Sequence, residues 1–91
     1  MYLLITYDIT SDKKRRKVDK ALSEVGIRVN KSVFECEVKK VFFDELQEKL
    51  KRYMDKSDSI RIYKLDKTIL EKSIELNPNL QEPFIKEDSY V

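Results

Sequence analysis

Apolar residues recur along this chain with two different periods. Residues 2–7 are a short run of aliphatic, aromatic and β-branched side chains, which reads as a buried strand ended by Asp8. Thr10, Ser11 and Asp12 are candidate helix N-caps. Val18, Ala21, Leu22 and Val25 then fall at i, i+3, i+4 and i+7, the stripe of a helix packed on one face. Gly26, the only glycine, stands where a helix C-cap favours one. Residues 27–38 alternate, with Ile27 and Val29 in one phase and Phe34, Cys36 and Val38 in the other. The phase changes near Asn30, Lys31 and Ser32, which fits either two strands with a tight turn or one strand with a bulge. A second helix carries Phe43, Leu46, Leu50, Tyr53 and Met54 on one face. Its first turn holds Asp44 and Glu45, and Lys49, Lys51 and Arg52 lie towards its end, in the sense the helix dipole favours. After a polar loop over 55–59, Ile60 to Leu65 reads as a strand.

The order β-α-β-β-α-β predicts an α+β, ferredoxin-like split arrangement over residues 1–66. Residues 67–91 lie outside that core. Lys72 to Leu76 can form an extra strand, and Pro78 and Pro83 interrupt regular structure beyond it. Residues 66–91 hold six acids and three lysines, with Phe84, Ile85, Tyr90 and Val91 as apolar points. Such a tail either frays or docks on a partner subunit.

Length changes the picture little: 91 residues make one compact domain with a modest core, and dimerisation would add buried area. Charge changes it more. The net is only +2, yet residues 1–40 carry ten Lys/Arg against six Asp/Glu, while residues 41–91 carry nine against eleven. The basic surface therefore belongs to the N-terminal half. A single cysteine, Cys36, excludes an intrachain disulfide and sits in an apolar alternation, as a buried inert thiol does. No apolar run approaches the roughly 20 residues of a membrane span, and the N-terminal residues lack the positive flank and cleavage pattern of a signal peptide. A cytoplasmic protein without a membrane partner is expected.

There is no histidine. That excludes a Ser-His-Asp triad, a His–His ribonuclease site and a His-ligated zinc, and one cysteine cannot build a structural zinc site. Proton transfers would have to use carboxylate, Lys, Tyr or metal-bound water. Asp8, at the carboxyl end of the first strand, occupies the usual ligand position of an open α/β unit. It reads equally as a turn or capping residue and as a ligand for a hard cation such as Mg²⁺. Next come Lys13, Lys14, Arg15, Arg16 and Lys17, five cations near a helix N-terminus, where they oppose the dipole. They are either a solvated face or a site whose repulsion a phosphate relieves. On the helical wheel Arg15 borders the apolar stripe and can lean back towards the strand end, while Lys13, Arg16 and Lys17 face solvent. Arg28 and Lys31 flank the phase change, and Arg suits bidentate phosphate contact. Phe34, just beyond, is a core residue or a base-stacking platform.

Three segments taken together carry a resemblance: Ile5-Thr-Tyr-Asp-Ile-Thr-Ser-Asp-Lys-Lys-Arg15, Arg28-Val-Asn-Lys-Ser-Val-Phe-Glu-Cys-Glu37 and Asp58-Ser-Ile-Arg-Ile-Tyr-Lys-Leu65. In this order and spacing they resemble the small CRISPR-associated Cas-two family over residues 1 to about 77. The resemblance implies a ferredoxin-like homodimer in which the last strand, here Lys72 to Leu76, crosses to the partner's sheet. It implies that Asp8 binds metal opposite its symmetry mate, one Mg²⁺ per dimer. Arg15, Arg28 and Phe34 match positions implicated in nuclease activity, with Tyr7 and Ser32 flanking them, and the remaining cations Lys13, Lys14, Arg16, Lys17 and Lys31 would contact nucleic acid. Lys17 stands where some members have Arg, and Lys31 where many have an aromatic or other residue; both keep or add positive charge. Two functions attach to such proteins at the spacer-acquisition (adaptation) stage. One is metal-dependent endonuclease activity on single-stranded RNA or, in some members, double-stranded DNA. The other is a non-catalytic dimeric scaffold that bridges Cas-one integrase subunits and binds spacer DNA. A small-effector regulatory domain on the same fold ranks last, since one glycine cannot make a glycine-rich effector loop.

Overall fold

The computed structural model describes residues 1–76. Strand β1 (Tyr2–Asp8) leads to helix α1 (Asp12–Ser23), followed by β2 (Gly26–Asn30) and β3 (Val33–Glu37). A 3-10 turn over Lys40–Phe42 enters helix α2 (Phe43–Lys51), then come β4 (Ser59–Leu65) and a short helix α3 (Lys67–Lys72). The four strands form one antiparallel sheet in the order β2-β3-β1-β4. This is the ferredoxin-like arrangement that the alternation of periods predicts.

Strand pleating decides which face each residue serves. Leu3, Ile5 and Tyr7 of β1 lie beside Cys36 and Phe34 of β3 and beside Ile62 and Ile60 of β4, and are buried against the helices. Val18, Ala21 and Leu22 of α1 and Leu46 and Leu50 of α2 complete that core. The opposite face carries Leu4, Thr6 and Asp8 on β1, Val33 on β3 and Arg61, Tyr63 and Leu65 on β4. Neither α1 nor α2 covers it, and its side chains are half-buried or exposed.

Helix α1 starts where a cap can be made. Ser11 is extended, and its hydroxyl accepts from the Lys14 N–H at 3.2 Å, satisfying one otherwise orphaned donor. Among the three sequence candidates, Ser11 is therefore the cap. Of the two readings of residues 27–38, two strands with a tight turn is the one observed: β2 and β3 form a hairpin, whose register slips between Arg28 and Asn30.

One sequence expectation is corrected. Gly26 is not a helix cap. Glu24 ends α1 in right-handed geometry, Gly26 opens β2, and its backbone is not left-handed. Its lack of a side chain matters because a Cβ there would lie 2.3 Å from the Glu35 carbonyl oxygen and 2.6 Å from Cys36 Sγ. The segment expected to cross to a partner, Lys72 to Leu76, begins at the end of a helix. Asp66 caps α3 by accepting from the Ile69 N–H at 2.8 Å, so Lys72 is the last residue of a helix. Ser73 is extended and leaves that helix, and residues 73–76 have no strand partner among the described residues. Asp66, which closes the 1–66 core, is the cap of the helix after it. The expectations for residues 78–91 lie outside the described residues. Among the described residues no helix is long and apolar enough to cross a membrane.

Candidate nucleic-acid and metal site

The first strand places two neighbouring residues on opposite faces of the sheet. Tyr7 is buried on the helix side, and Asp8 is exposed on the side that α1 and α2 leave uncovered. The Asp8 carboxylate makes no hydrogen bond or ion pair among the described residues. That removes the capping alternative: Ser11 caps α1, and Asp8 stands opposite Ser59 at the end of the β1–β4 ladder. No group of three or more His, Cys, Asp or Glu suited to a metal occurs among the described residues. One chain therefore contributes one free carboxylate at this point.

On the helix side, four side chains from four elements converge. Arg28 of β2 places its guanidinium 5.3 Å from the Phe34 ring centroid, a cation–π distance. Its Nη1 donates to the Lys31 carbonyl at 3.0 Å, and its Nη2 pairs with Asp19 Oδ2 of α1 at 2.9 Å. The Tyr7 hydroxyl donates to the other oxygen, Asp19 Oδ1, and lies 3.4 Å from the Lys31 carbonyl. The Tyr7 and Phe34 rings stack with centroids 6.2 Å apart. Burial, and next the hydrogen bond and charge of Asp19, hold the Tyr7 phenol far above its ordinary pKa, so it remains a neutral donor. Phe34 has no exposed surface. Its ring packs beside Tyr7 and under Arg28.

Arg15 leans back as the wheel predicts. Its Nη1 donates to the Ile9 carbonyl at 3.1 Å, one residue beyond Asp8, and its Nη2 pairs with Asp12. Lys13, Arg16 and Lys31 are exposed. Lys17 is exposed too, with its ammonium 5.8 Å from the Tyr53 ring centroid. Lys14 is half-buried and paired with Asp55. Thus Arg28, Phe34 and Lys31 share one network, Arg15 flanks the turn after Asp8, and the other cations line the solvent side of α1. The structure does not join Asp8 to the Arg28 network within one chain.

Two residues that sequence reasoning did not single out organise these parts. Asp19 bridges Tyr7 and Arg28, and its only signal was an acid one position past buried Val18 in a basic helix. Asp58 is buried and accepts from the Asp55 N–H at 2.8 Å and the Thr10 N–H at 3.1 Å. These two backbone donors, the Asp55 N–H foremost, hold its carboxyl below the ordinary range, with the Thr10 hydroxyl and Lys14 adding to the effect. Asp58 thereby ties the loop before β4 to the turn after Asp8.

A family model described as CRISPR associated protein Cas2 matches residues 1–72, which include every regular element of the fold. The chain belongs to the Cas2 family. This Cas2-family chain is 40% identical over 95 residues to CRISPR-associated endoribonuclease Cas2 1 of Moorella thermoacetica, a match covering 93% of the chain and 99% of the relative. It is 37% identical over 93 residues to the protein of that name from Chloroflexus aurantiacus, covering all of the chain and 99% of the relative. Among solved structures it is similar to Streptococcus pyogenes Cas2 at pH 6.5, with TM-score 0.74, 36% identity, and coverage of 85% of this chain and 100% of that one. A chain of a partial Cas6-RT-Cas1–Cas2 complex matches with TM-score 0.63 and 30% identity, covering 90% of this chain and 93% of that one.

Proposed function

We propose that this Cas2-family chain acts in the adaptation stage of a CRISPR system as a cytoplasmic homodimeric, Mg²⁺-dependent endonuclease that cleaves the phosphodiesters of single-stranded RNA. The observation that carries the reading is the exposed, unpaired Asp8 carboxylate at the end of β1, on the sheet face opposite α1 and α2. Mg²⁺ takes oxygen ligands, keeps several waters and is commonly bound through one or two protein carboxylates. One Asp8 per chain fits that donor set best when a two-fold axis brings two together, giving one ion per dimer.

A second copy is favoured by what the single chain leaves open. Leu4, Val33 and Leu65 are half-buried on the uncovered face, and Tyr63 beside them is 47% exposed. Ile74 and Leu76, at the end of the described chain, are 80% and 84% exposed. These are the residues that a face-to-face dimer with exchanged C-terminal segments would cover, with residues 73–76 extended along the other chain's sheet edge.

When bound, the ion would polarise the phosphodiester and activate water for in-line attack. Arg15, beside the turn after Asp8, would orient that phosphodiester, and Arg28, seated over Phe34 on the other sheet face, would hold a neighbouring phosphate of the same strand. Lys13, Arg16, Lys17 and Lys31, with Lys14 exchanging from Asp55, track the flanking backbone of the nucleic acid. The test is cleavage of a single-stranded RNA by the wild type and by Asp8→Asn, each with Mg²⁺ and with EDTA. Cleavage should need Mg²⁺ and fall at least about 100-fold in Asp8→Asn; equal cleavage by the two proteins would exclude Asp8 from the chemistry.

The similar chain in the partial Cas6-RT-Cas1–Cas2 complex favours a second reading. In it the dimer bridges Cas-one integrase subunits and holds spacer duplex DNA without cutting it. Asp8→Asn would then support spacer acquisition at the wild-type rate. Lys13→Glu with Arg16→Glu would weaken duplex binding and flatten its salt dependence by about 0.9 log unit for each phosphate no longer neutralised.

A further inference from the structure

We infer that Asp19 is the positioning residue for Arg28, a carboxylate that clamps the guanidinium over the Phe34 ring. This rests on the reading of Arg28 as a phosphate contact. The geometry is specific. Asp19 divides its two oxygens, Oδ2 taking Arg28 Nη2 at 2.9 Å and Oδ1 taking the Tyr7 hydroxyl. The Lys31 carbonyl holds Nη1 at 3.0 Å from the turn between β2 and β3, and the guanidinium carbon lies 5.3 Å from the Phe34 ring centroid. Two of the five N–H donors of the guanidinium are thus committed, one on each terminal nitrogen, and three are left for a ligand.

The clamp sits where flexibility would otherwise be greatest. Arg28 lies on the edge strand, next to the register slip between Arg28 and Asn30, and its side chain is 43% exposed. An unclamped arginine there would lose much rotamer freedom each time it met a phosphate. Asp19 removes that freedom beforehand, because it projects from α1, whose neighbouring Val18 is fully buried. The Asp19 side chain itself is only 23% exposed. Its negative charge also opposes phosphate at the same guanidinium. Positioning and attraction therefore pull in opposite directions, which separates this role from that of a residue that merely adds stability.

The experiment is a double-mutant cycle on RNA cleavage with Mg²⁺, using wild type, Asp19→Ala, Arg28→Ala and the double variant, with Asp19→Asn alongside. Asp19→Ala should lower kcat about tenfold, in keeping with the cost of a misplaced contact. KM should stay level or fall, because a negative charge beside the phosphate is gone. Asp19→Asn keeps an oxygen acceptor for Arg28 and should recover most of the loss. In the Arg28→Ala background, Asp19→Ala should add nothing. The Arg28 Nη resonances, separate in the wild type without metal or RNA because both terminal nitrogens are held, should coalesce in Asp19→Ala. Should Asp19→Ala fail to fold, Asp19→Asn carries the same cycle with a smaller loss. Wild-type kcat in Asp19→Ala overturns the inference, as does a loss that persists in full without Arg28. Wild-type cleavage by Arg28→Ala overturns the phosphate reading of Arg28 and the clamp with it.

Discussion

Gly26→Ala should destabilise the fold, although ordinary helix and strand arguments point the other way. The Gly26 backbone is not left-handed, so alanine can adopt it, and the reduced chain freedom of the unfolded state would alone stabilise by about 0.4–1 kcal/mol. Space reverses the sign. The added Cβ would lie 2.3 Å from the Glu35 carbonyl oxygen and 2.8 Å from Cys36 Cα, both backbone atoms, against a floor of 3.0 Å for real Cβ atoms. Rotating the Cys36 side chain relieves only the third clash, with Sγ at 2.6 Å. β2 must therefore move off β3. Overpacking of this kind costs about 1–3 kcal/mol, so the net loss is about 1–2 kcal/mol. At about 4–8 °C per kcal/mol for a domain of this size, Tm should fall by about 5–15 °C. Thermal unfolding followed by circular dichroism reads this, with Ser23→Ala on the exposed last turn of α1 as the neutral control. Because Arg28 is two residues further along the same strand, the shift should also loosen its seat on Phe34. A Tm equal to or above that of the wild type would refute the packing argument.

Two further outcomes concern buried groups. Asp58→Asn should be less stable than the wild type at pH 7. The Asp58 pKa is depressed in the fold, so its contribution is present above the ordinary value of 3.8 and is lost as pH falls through the folded value. Urea unfolding of both proteins between pH 7 and pH 3 should show the gap closing at the acid end, and a gap independent of pH would contradict the backbone-donor account of Asp58. Cys36 should resist a thiol reagent such as Ellman's at pH 8 while folded and react promptly in denaturant. Burial first, and the charge of Glu35 second, push its thiol up to about 12, and it has no exposed surface. Rapid reaction of the native protein would contradict this.

Much of the fold was legible because its elements are strongly periodic and locally consistent. The 3.6-residue stripe of α1, the alternation of β1 and β3 and the order of elements led directly to the antiparallel sheet. Gly26 was misread because sequence shows a glycine's place along the chain but not what crosses above it; here β3 does. Helix α3 was not legible, because its start depends on Asp66, whose carboxylate accepts from the Ile69 N–H. Asp8, Arg15 and Arg28 stand out in the sequence because charge at a strand end or beside an apolar stripe is locally conspicuous. Asp19 does not, because its significance lies in two partners 12 and 9 positions away, Tyr7 and Arg28, which only the packing of α1 on the sheet brings together.

The pairing of two Asp8 carboxylates around one ion is tested most directly by titrating the metal-free protein with Mn²⁺, a spectroscopic stand-in for Mg²⁺, and counting bound ions by electron paramagnetic resonance. One ion for every two chains is expected, with binding lost in Asp8→Asn while the dimer's mass in solution is unchanged. One ion per chain, or undiminished binding by Asp8→Asn, would contradict a shared site.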